Sequence, residues 1–508
     1  MKKSVMNKSI YSIYNAVTAL GLTLVNGLLG IITTYYIISE FGSDFNGLNS
    51  TANQIINMLL VLEGGFTMAS TVALFVPLAD QDMLIVNGIL LATRKQFRKI
   101  GKIFCILGFF VSLIYAYAVR SDLPKVFVAC VIIMAIVPQA INLYFTSSYR
   151  VLLQAQQKEY IINFFSMITI GLGHIANIII IRGGGLMWQI RFITMIFAIG
   201  NSMLICWYVK KKYSYVNFHV MERNDLIVGA DDVFVQKVTG VIYNSAPIVF
   251  LSLFPSGGTM LASVYAVYNN IFIMIKSLLH GVIDAPRMGL GQLVVEREKE
   301  DVWNVFKQYE YISFAAIFVM VSTTCALILP FIQLYTNSLN DINYYEPVIV
   351  ILMVLICAVE MVHIPSGHLI NMAGKFRISR NFQMIACIVL MITIVLGGFF
   401  YGIYGMLVAI LITAIVLAVL EIGYIHYYFF DKKLFELCKI GMPLCIAGFF
   451  VCLVETYLPV PIDNYFDFFC FGVIFTVING LICIIVSAIF YRAVIWAVVK
   501  KLLDSRDG

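Results

Sequence analysis

The feature that most constrains this fold is a succession of long apolar runs, each about as long as a membrane-spanning helix. About 20 residues of helix cross the roughly 30 Å hydrocarbon core of a bilayer. Only 12% of the 508 residues are charged and the mean hydropathy is +0.91, which excludes a soluble globular class. The sequence therefore predicts an all-α integral membrane protein with about fourteen transmembrane helices. These spans are 12–38, 47–75, 100–119, 124–147, 160–181, 186–209, 234–254, 259–283, 310–335, 347–371, 382–401, 403–427, 437–458 and 468–492.

The positive charges alternate between the two sides of a fourteen-span chain. The loops of one side carry few of them, namely Arg120, Lys125 and Arg182. By the positive-inside rule the richer side, with both termini, is cytoplasmic. The net charge of +6 follows this topology, so we expect membrane lipids and no nucleic acid as partners. The basic clusters are Lys2/Lys3/Lys8, Arg94–Lys102, Arg150/Lys158, Lys210–Lys212 with Arg223 and Lys237, Arg297–Lys307, Lys375–Arg380, Lys432–Lys439 and Lys500–Arg506.

An internal repeat occurs at the offset that separates Phe41 from Phe254. It predicts two pseudo-symmetric six-helix lobes of the same orientation, with a substrate path at a central cavity between them. The expected domains are an N-terminal lobe at 1–212, a cytoplasmic linker at 213–236, a C-terminal lobe at 237–431, and helices 13 and 14 with a tail at 432–508. The best matches place Phe41, Ser43, Leu48, Ser50 and Asn57 opposite Phe254, Ser256, Leu261, Ser263 and Asn270.

Span 8 carries several ionisable residues on one helical face. Lys276, His280, Asp284 and Arg287 recur at spacings of four, four and three residues. Such groups are costly in lipid, so we expect them to face a water-filled cavity or a partner inside the protein. Lys276, His280 and Arg287 are candidate substrate-binding residues, and Asp284 is a candidate for gating or ion coupling.

The repeat places Glu63 of span 2 opposite Lys276 of span 8. Two related helices would then present opposite charges at equal depth. One interpretation is a structural ion pair that neutralises both groups and holds the lobes together. The other is a gating or coupling pair that opens during transport.

Span 10 contains a second cluster, which includes Glu360, His363 and Pro365. An intramembrane carboxylate beside a histidine can exchange a proton near neutral pH, so Glu360 and His363 are candidates for gating or ion coupling. A hydrogen-bonded pair that stabilises a kinked helix is the alternative. The sequence leaves open a proton gradient, a sodium gradient or the membrane potential as the driving force. We expect no cofactor and no metal site, since the eleven cysteines form no CxxC pair.

Further substrate-binding candidates lie in three spans. Arg150 falls near the cytoplasmic end of span 4, and Arg191 lies about 8 Å inside the outer end of span 6 by helical rise. Either arginine suits phosphate, and snorkelling to lipid headgroups is the alternative for Arg150. Tyr265, Tyr268 and Asn270 form a polar-aromatic face in span 8. That face is suited to stacking against sugar rings, with helix packing as the rival explanation.

Two cytoplasmic motifs and part of span 8 resemble polysaccharide transporters of the MOP superfamily, the Wzx-type oligosaccharide flippases. The motifs are Tyr149-Arg150-Val151-Leu152-Leu153-Gln154-Ala155-Gln156-Gln157-Lys158, Lys211-Lys212-Tyr213-Ser214-Tyr215-Val216-Asn217, Val264-Tyr265-Ala266-Val267-Tyr268-Asn269-Asn270 and Gly291-Gln292-Leu293. Members of the family commonly have asparagine at the position of Gln292, which is a mild departure.

The resemblance implies a MATE-like fold in the bacterial cytoplasmic membrane, with two lobes around a central cavity and two additional C-terminal helices that form a groove for a lipid tail. It implies a flippase that moves undecaprenyl-pyrophosphate-linked oligosaccharide repeat units to the outer leaflet by alternating access of the lobes. The expected partners are the lipid-linked oligosaccharide and other proteins of envelope polysaccharide assembly.

Three other function classes remain as alternatives. A cation-coupled multidrug antiporter of the same superfamily would favour an acidic, aromatic cavity and twelve spans. A membrane enzyme of polysaccharide assembly would carry a nucleophile–base constellation, and no GxxxxGKS, HExxH or GxSxG motif occurs in the sequence. A passive scaffold would not need ionisable residues inside its spans. We therefore predict a transporter and not an enzyme.

Overall fold

The computed structural model describes residues 2–227, 230–255, 258–284, 286, 290, 293–294, 296–337, 339, 341–433, 435–457 and 462–491. Helices account for nearly all of the regular structure in these ranges, and they contain no β-strand. The chain divides into two compact units, residues 1–270 and 271–508. The division falls within a helix, and the domain boundaries expected from the repeat stay a prediction.

The first unit contains nine helices and the first half of a tenth among its described residues. Its longest helix bends at Gly42, which has φ 83° and ψ 168°. A π-helical turn at Asn142–Thr146 joins α5 to α6. The helices are α1 (Lys2–Leu59), α2 (Phe66–Ala73), α3 (Phe75–Ala79), α4 (Met83–Ala118), α5 (Lys125–Ile141), α6 (Ser147–Ala155), α7 (Glu159–Arg182), α8 (Met187–Lys212), α9 (Ala230–Leu253) and α10 (Thr259–Ile283).

The second unit begins within α10. Its helix α14 bends at Gly402 and continues into a π-helical turn at Tyr424–Phe429. The remaining helices of the described residues are α11 (Lys299–Thr336), α12 (Pro347–Val362), α13 (Ile364–Met372), α14 (Phe376–Gly423), α15 (Phe435–Tyr457) and α16 (Tyr465–Phe490).

Ten helical stretches of the described residues are long and apolar enough to cross a membrane. Two of them, Tyr14–Glu63 and Phe376–Phe429, continue across the bend at Gly42 or Gly402. Phe376–Phe429 contains the predicted spans 382–401 and 403–427, whereas Tyr14–Glu63 contains most of 12–38 and the first part of 47–75, whose remainder falls on the shorter apolar helix Phe66–Ala79. The predicted spans at 234–254 and 437–458 fall on the shorter apolar helices Lys237–Leu253 and Gly441–Glu455. Each of the fourteen predicted spans thus corresponds to helical structure, so the all-α, multi-pass membrane fold is confirmed.

The segment that follows α8 packs against other parts of the first unit through hydrogen bonds. Asn87 of α4 donates from Nδ2 to the carbonyl oxygen of Tyr215 at 2.8 Å and accepts from the backbone N–H of Asn217 at 3.2 Å. Gln156 donates to the Tyr215 hydroxyl at 2.8 Å. The motif that ends at Lys158 and the motif that ends at Asn217 therefore meet near the start of α4. Their hydrogen bonds hold the segment after α8 in place.

The exposed part of this segment adds an ion pair. Arg223 and Asp225 form a two-pronged contact, with Nε–Oδ1 at 3.0 Å and Nη2–Oδ2 at 2.9 Å. The hydrogen bond from Arg223 lowers the pKa of the Asp225 carboxyl below its ordinary value. Solvent screens such an exposed pair, so it organises the loop and contributes little to stability.

The bend in α14 brings two glycines into backbone contact. Gly402 adopts φ 57° and ψ −133°, a conformation open mainly to glycine. Gly397 and Gly405 then lie across the bend, and a Cβ at either position would overlap the carbonyl oxygen of the other. Small residues at these positions let the two halves of α14 pack closely.

We expect Gly405→Ala to lower the unfolding temperature of the detergent-solubilised protein, because the new methyl group overlaps Gly397 and costs about 1–3 kcal/mol. Gly423→Ala in the same helix is the matched control, since nothing lies within 4 Å of its Cβ position. The control should be neutral or slightly stabilising, as alanine is the better helix former. Equal unfolding temperatures for the two variants would contradict the close approach.

Candidate functional site

The second unit contains an ion pair within its membrane helices. Lys276 of α10 contacts Glu360 of α12 through Nζ and Oε2. The two side chains are only 23% and 11% exposed. A lone charge at such a position would be costly, and each group offsets that cost for the other.

A contact between a histidine and an acid lies three residues farther along the same span. The span breaks at His363, where α12 ends and α13 begins, and Pro365 supplies no N–H at the start of α13. His363 Nδ1 lies 2.8 Å from Oε2 of Glu421 in α14. Glu421 is 4% exposed, and its carboxylate occupies the space that a side chain at Gly367 would need.

A third group surrounds the end of α10. Asp284 Oδ1 lies 3.4 Å from His368 Nε2 and 3.3 Å from His280 Nδ1. Tyr309 of α11 donates to the carbonyl oxygen of Ile283 at 2.8 Å, and its hydroxyl lies 2.9 Å from His368 Nδ1. These contacts join α10, α11 and α13.

The structure thus brings five of the predicted residues into one unit, each with an ionisable neighbour: Lys276, His280, Asp284, Glu360 and His363. Arg287, which the sequence places on the same face, lies outside the described residues.

The predicted pairing of Glu63 with Lys276 stays a prediction, since the two residues belong to different compact units. Within the first unit, Glu63 forms an ion pair with Lys237 of α9, at 3.2 Å from Oε2 to Nζ, and accepts a hydrogen bond from Thr67. Within the second unit, Lys276 forms an ion pair with Glu360. Each charge therefore has an oppositely charged partner inside its own unit.

Arg150 belongs to the Glu63 environment. It is half-buried in the middle of α6 and interacts electrostatically with Glu63 and Glu159. Glu63 therefore lies within the field of two cations, Lys237 and Arg150. This is the most charged part of the membrane-spanning region described for the first unit.

Arg191 lies apart from these charges. It is 5% exposed, and its Nη2 donates to Oδ1 of Asn53 in α1 at 2.8 Å. The Nε of Arg191 has no hydrogen-bond partner. Among the ion pairs of the described residues none includes Arg191, so a neutral amide and not a carboxylate holds this guanidinium.

The aromatic candidates of α10 are inside the protein. Tyr268 is fully buried, Tyr265 is 6% exposed, and Asn270 is half-buried. The Tyr265 hydroxyl donates to Oδ1 of Asn269 at 3.5 Å. Burial favours the packing explanation for the two rings, and a sugar-stacking role stays a prediction.

Sequence reasoning missed several buried polar groups. Glu310 and His426 form a fully buried pair at 3.0 Å, enclosed by the rings of Trp303, Phe306 and Phe430. A carboxylate and an imidazole in apolar runs 116 residues apart do not reveal their contact. The amides of α1 were missed too, although Asn49, Asn53 and Asn57 recur every four residues.

Comparisons with known proteins show the fold. No family model and no curated protein matches the chain. A lipid II flippase, MurJ, in an inward-closed conformation aligns with TM-score 0.70 at 14% identity, over 96% of this chain and 99% of that one.

Two multidrug transporters of the MATE family also align. An inward-facing MATE family transporter of the MOP superfamily gives TM-score 0.67 at 14% identity, over 80% of this chain and 97% of that one. The MATE multidrug transporter DinF-BH, in a complex with a small molecule, gives TM-score 0.57 at 12% identity, over 84% of this chain and 97% of that one. The chain is therefore a multi-pass membrane protein with the fold of MOP-superfamily flippases and transporters.

Proposed function

We propose that this protein is a flippase for lipid-linked oligosaccharides, of the Wzx type. It would carry undecaprenyl-pyrophosphate-linked repeat units across the bacterial cytoplasmic membrane for cell-surface polysaccharide synthesis, with both termini in the cytoplasm. The two lobes would expose the cargo site alternately to each side of the membrane. The neighbours in the structural comparison are flippases and transporters, which fits a protein that is not an enzyme.

The observation that carries this proposal is the extent of the structural match. The alignment with the lipid II flippase covers 96% of the chain. The part of the chain that this alignment leaves out is shorter than either C-terminal helix, since α15 has 23 residues and α16 has 26 residues. The alignment with the lipid II flippase therefore includes residues of both helices. The alignments with the two MATE transporters cover only 80% and 84% of the chain, and the part they leave uncovered is long enough to contain both helices. The more complete match with the lipid II flippase favours a lipid-linked cargo over a multidrug substrate.

Helix α16 of the C-terminal pair also borders a suitable groove. Thr323 of α11 and Phe468, Phe469 and Val473 of α16 line an apolar cavity of about 350 Å³. A polyprenyl tail needs a surface of this kind, because apolar contact offsets its removal from lipid. We propose that the tail lies here while the polar headgroup moves.

The charges of the second unit supply the coupling part of the proposal. Lys276–Glu360 and His363–Glu421 lie in the membrane and contain groups that a proton or a sodium ion would neutralise. A cation gradient acting there, or the membrane potential acting on these charges, would drive export. The cargo itself and other proteins of envelope polysaccharide assembly are the proposed partners.

Deletion of the gene in its native host should trap lipid-linked oligosaccharide in the inner leaflet. The measurement is the amount of lipid-linked glycan extracted from the cells, together with its accessibility to a glycan-modifying enzyme added outside spheroplasts. A plasmid copy of the protein should restore both to normal. Hypersensitivity to cationic drugs without any glycan defect would instead support the multidrug antiporter.

Removing the Lys276 charge should stop export. In Lys276→Met the carboxylate of Glu360 is buried without its cation, which costs about 3–5 kcal/mol if the group stays ionised. We expect at least a tenfold fall in export, measured in the deletion strain at equal protein levels. The paired variant Lys276→Met/Glu360→Gln removes both charges and should restore the folded protein to the membrane.

The paired variant separates a structural role from a coupling role. If the pair couples transport to ions, Lys276→Met/Glu360→Gln should fold normally yet lose the response of export to collapse of the ion gradients. Normal export that still depends on the gradients would show that the pair is structural. Glu300 and Lys432 form an exposed ion pair at 2.9 Å, so Lys432→Met is a matched control with expected normal export.

A further inference from the structure

Helix α1 exposes an unusual face at 50–58. Asn53 and Asn57 are exposed, while Ile55 and Ile56 on the other side are buried. Helix α4, by contrast, exposes apolar side chains such as Phe110 and Ile114, as expected of a helix that faces lipid. An exposed amide face inside an apolar span therefore borders water, because lipid leaves amides without hydrogen-bond partners.

This face lies deep in the membrane. Asn53 is nine residues from Asp44, which lies just after the bend in α1 at Gly42, about 13 Å at helical rise. Asn244 of α9 is likewise nine residues from Leu253, where that helix ends. Asn244 is exposed too, and its neighbour Ser245 donates to Gln54 Oε1 at 2.9 Å. We call Asn53, Gln54, Asn57 and Asn244 the amide row.

The contacts of the amide row fix which atoms it presents. Arginine only donates, so the bond from Arg191 orients Asn53 with Oδ1 towards the guanidinium and Nδ2 away from it. Asn57 donates from Nδ2 to Gln54 Oε1 at 3.1 Å, which leaves its Oδ1 directed elsewhere. The row therefore offers both donors and acceptors to a ligand.

The amide row contains no charge. Residues 46–57 and 239–253 include no acidic or basic side chain. The nearby cation, Arg191, is only 5% exposed and is directed at Asn53, so a ligand meets the amide first. The amide row therefore offers no carboxylate to a cationic drug and no accessible cation to an acidic sugar.

The internal repeat keeps only part of the amide row. At the offset that relates Phe41 to Phe254, Asn57 corresponds to Asn270, whereas Asn53 corresponds to Ala266, which is buried. The two related helices therefore share one amide position and differ at the other.

We infer that the amide row binds the sugar of the cargo, and that it selects neutral sugars whose hydroxyl and acetamido groups both donate and accept hydrogen bonds. The inference rests on the proposed flippase function and names the substrate class for it. Glu63 and Lys237 lie about 9–11 Å closer to the cytoplasm, six and seven residues along their helices from Asn57 and Asn244. A pyrophosphate near Lys237 would place the attached sugar at the amide row.

The test measures binding of three lipids to the full-length protein in nanodiscs: undecaprenyl pyrophosphate, the same lipid with N-acetylglucosamine, and the same lipid with glucuronic acid. The wild-type protein should bind the N-acetylglucosamine lipid most tightly. Asn57→Ala/Asn244→Ala should weaken binding of that lipid about tenfold, the loss expected from two hydrogen bonds to neutral groups. Its affinity for the sugar-free lipid should not change, which also shows that the variant is folded.

Asn343→Ala is the matched control, because Asn343 is an exposed amide in a loop and should leave all three affinities unchanged. Equal wild-type affinity for the sugar-free and N-acetylglucosamine lipids would overturn the inference and leave the flippase proposal intact. Tighter binding of the glucuronic acid lipid would overturn the selection of neutral sugars. Failure of the wild-type protein to bind any of the three lipids would overturn the flippase proposal itself.

Discussion

The cost of an ionisable side chain in hydrocarbon organises this molecule more than any other interaction. A charge inside the bilayer needs an opposite charge or water within reach. The structure meets this need inside each compact unit, with Lys237 beside Glu63 in the first and Lys276 beside Glu360 in the second. Pairing offsets the desolvation cost that a single charge would meet at these positions.

The two units use polar groups differently. The first unit has charged groups around Glu63 and exposed, uncharged amides at Asn53 and Asn57. The second unit contains acid–histidine contacts such as His363–Glu421 and Glu310–His426. Charges and imidazoles respond to ions, and amides respond to the hydroxyl groups of a ligand. This distribution fits a transporter in which one unit senses the driving ion and the other recognises the cargo.

Sequence reasoning predicted the fold but not the partners of the buried charges. Apolar runs predict spans directly, because length and composition alone decide whether a helix crosses a bilayer. Hydropathy did not show that α1 and α14 continue through Gly42 and Gly402, since a glycine in a helix is compatible with either a bend or a break. The within-unit partners of Glu63 and Lys276 were not predicted either, because an internal repeat gives equivalence of position and not distance. The amide row was not predicted, because an uncharged asparagine in a span is a weaker indication of a site than a charged residue.

The location of the Lys276–Glu360 pair limits how it can act. Both residues belong to the second unit, so rupture of this pair would reshape that unit from within. Glu360 lies three residues before the break at His363, and His363 holds the carboxylate of Glu421 from α14. An ion that neutralised Glu360 would release Lys276 and remove the restraint on α12 next to this break. Such a change alters the angle between α12 and α13 with little loss of packing, because the helix is already interrupted at that point.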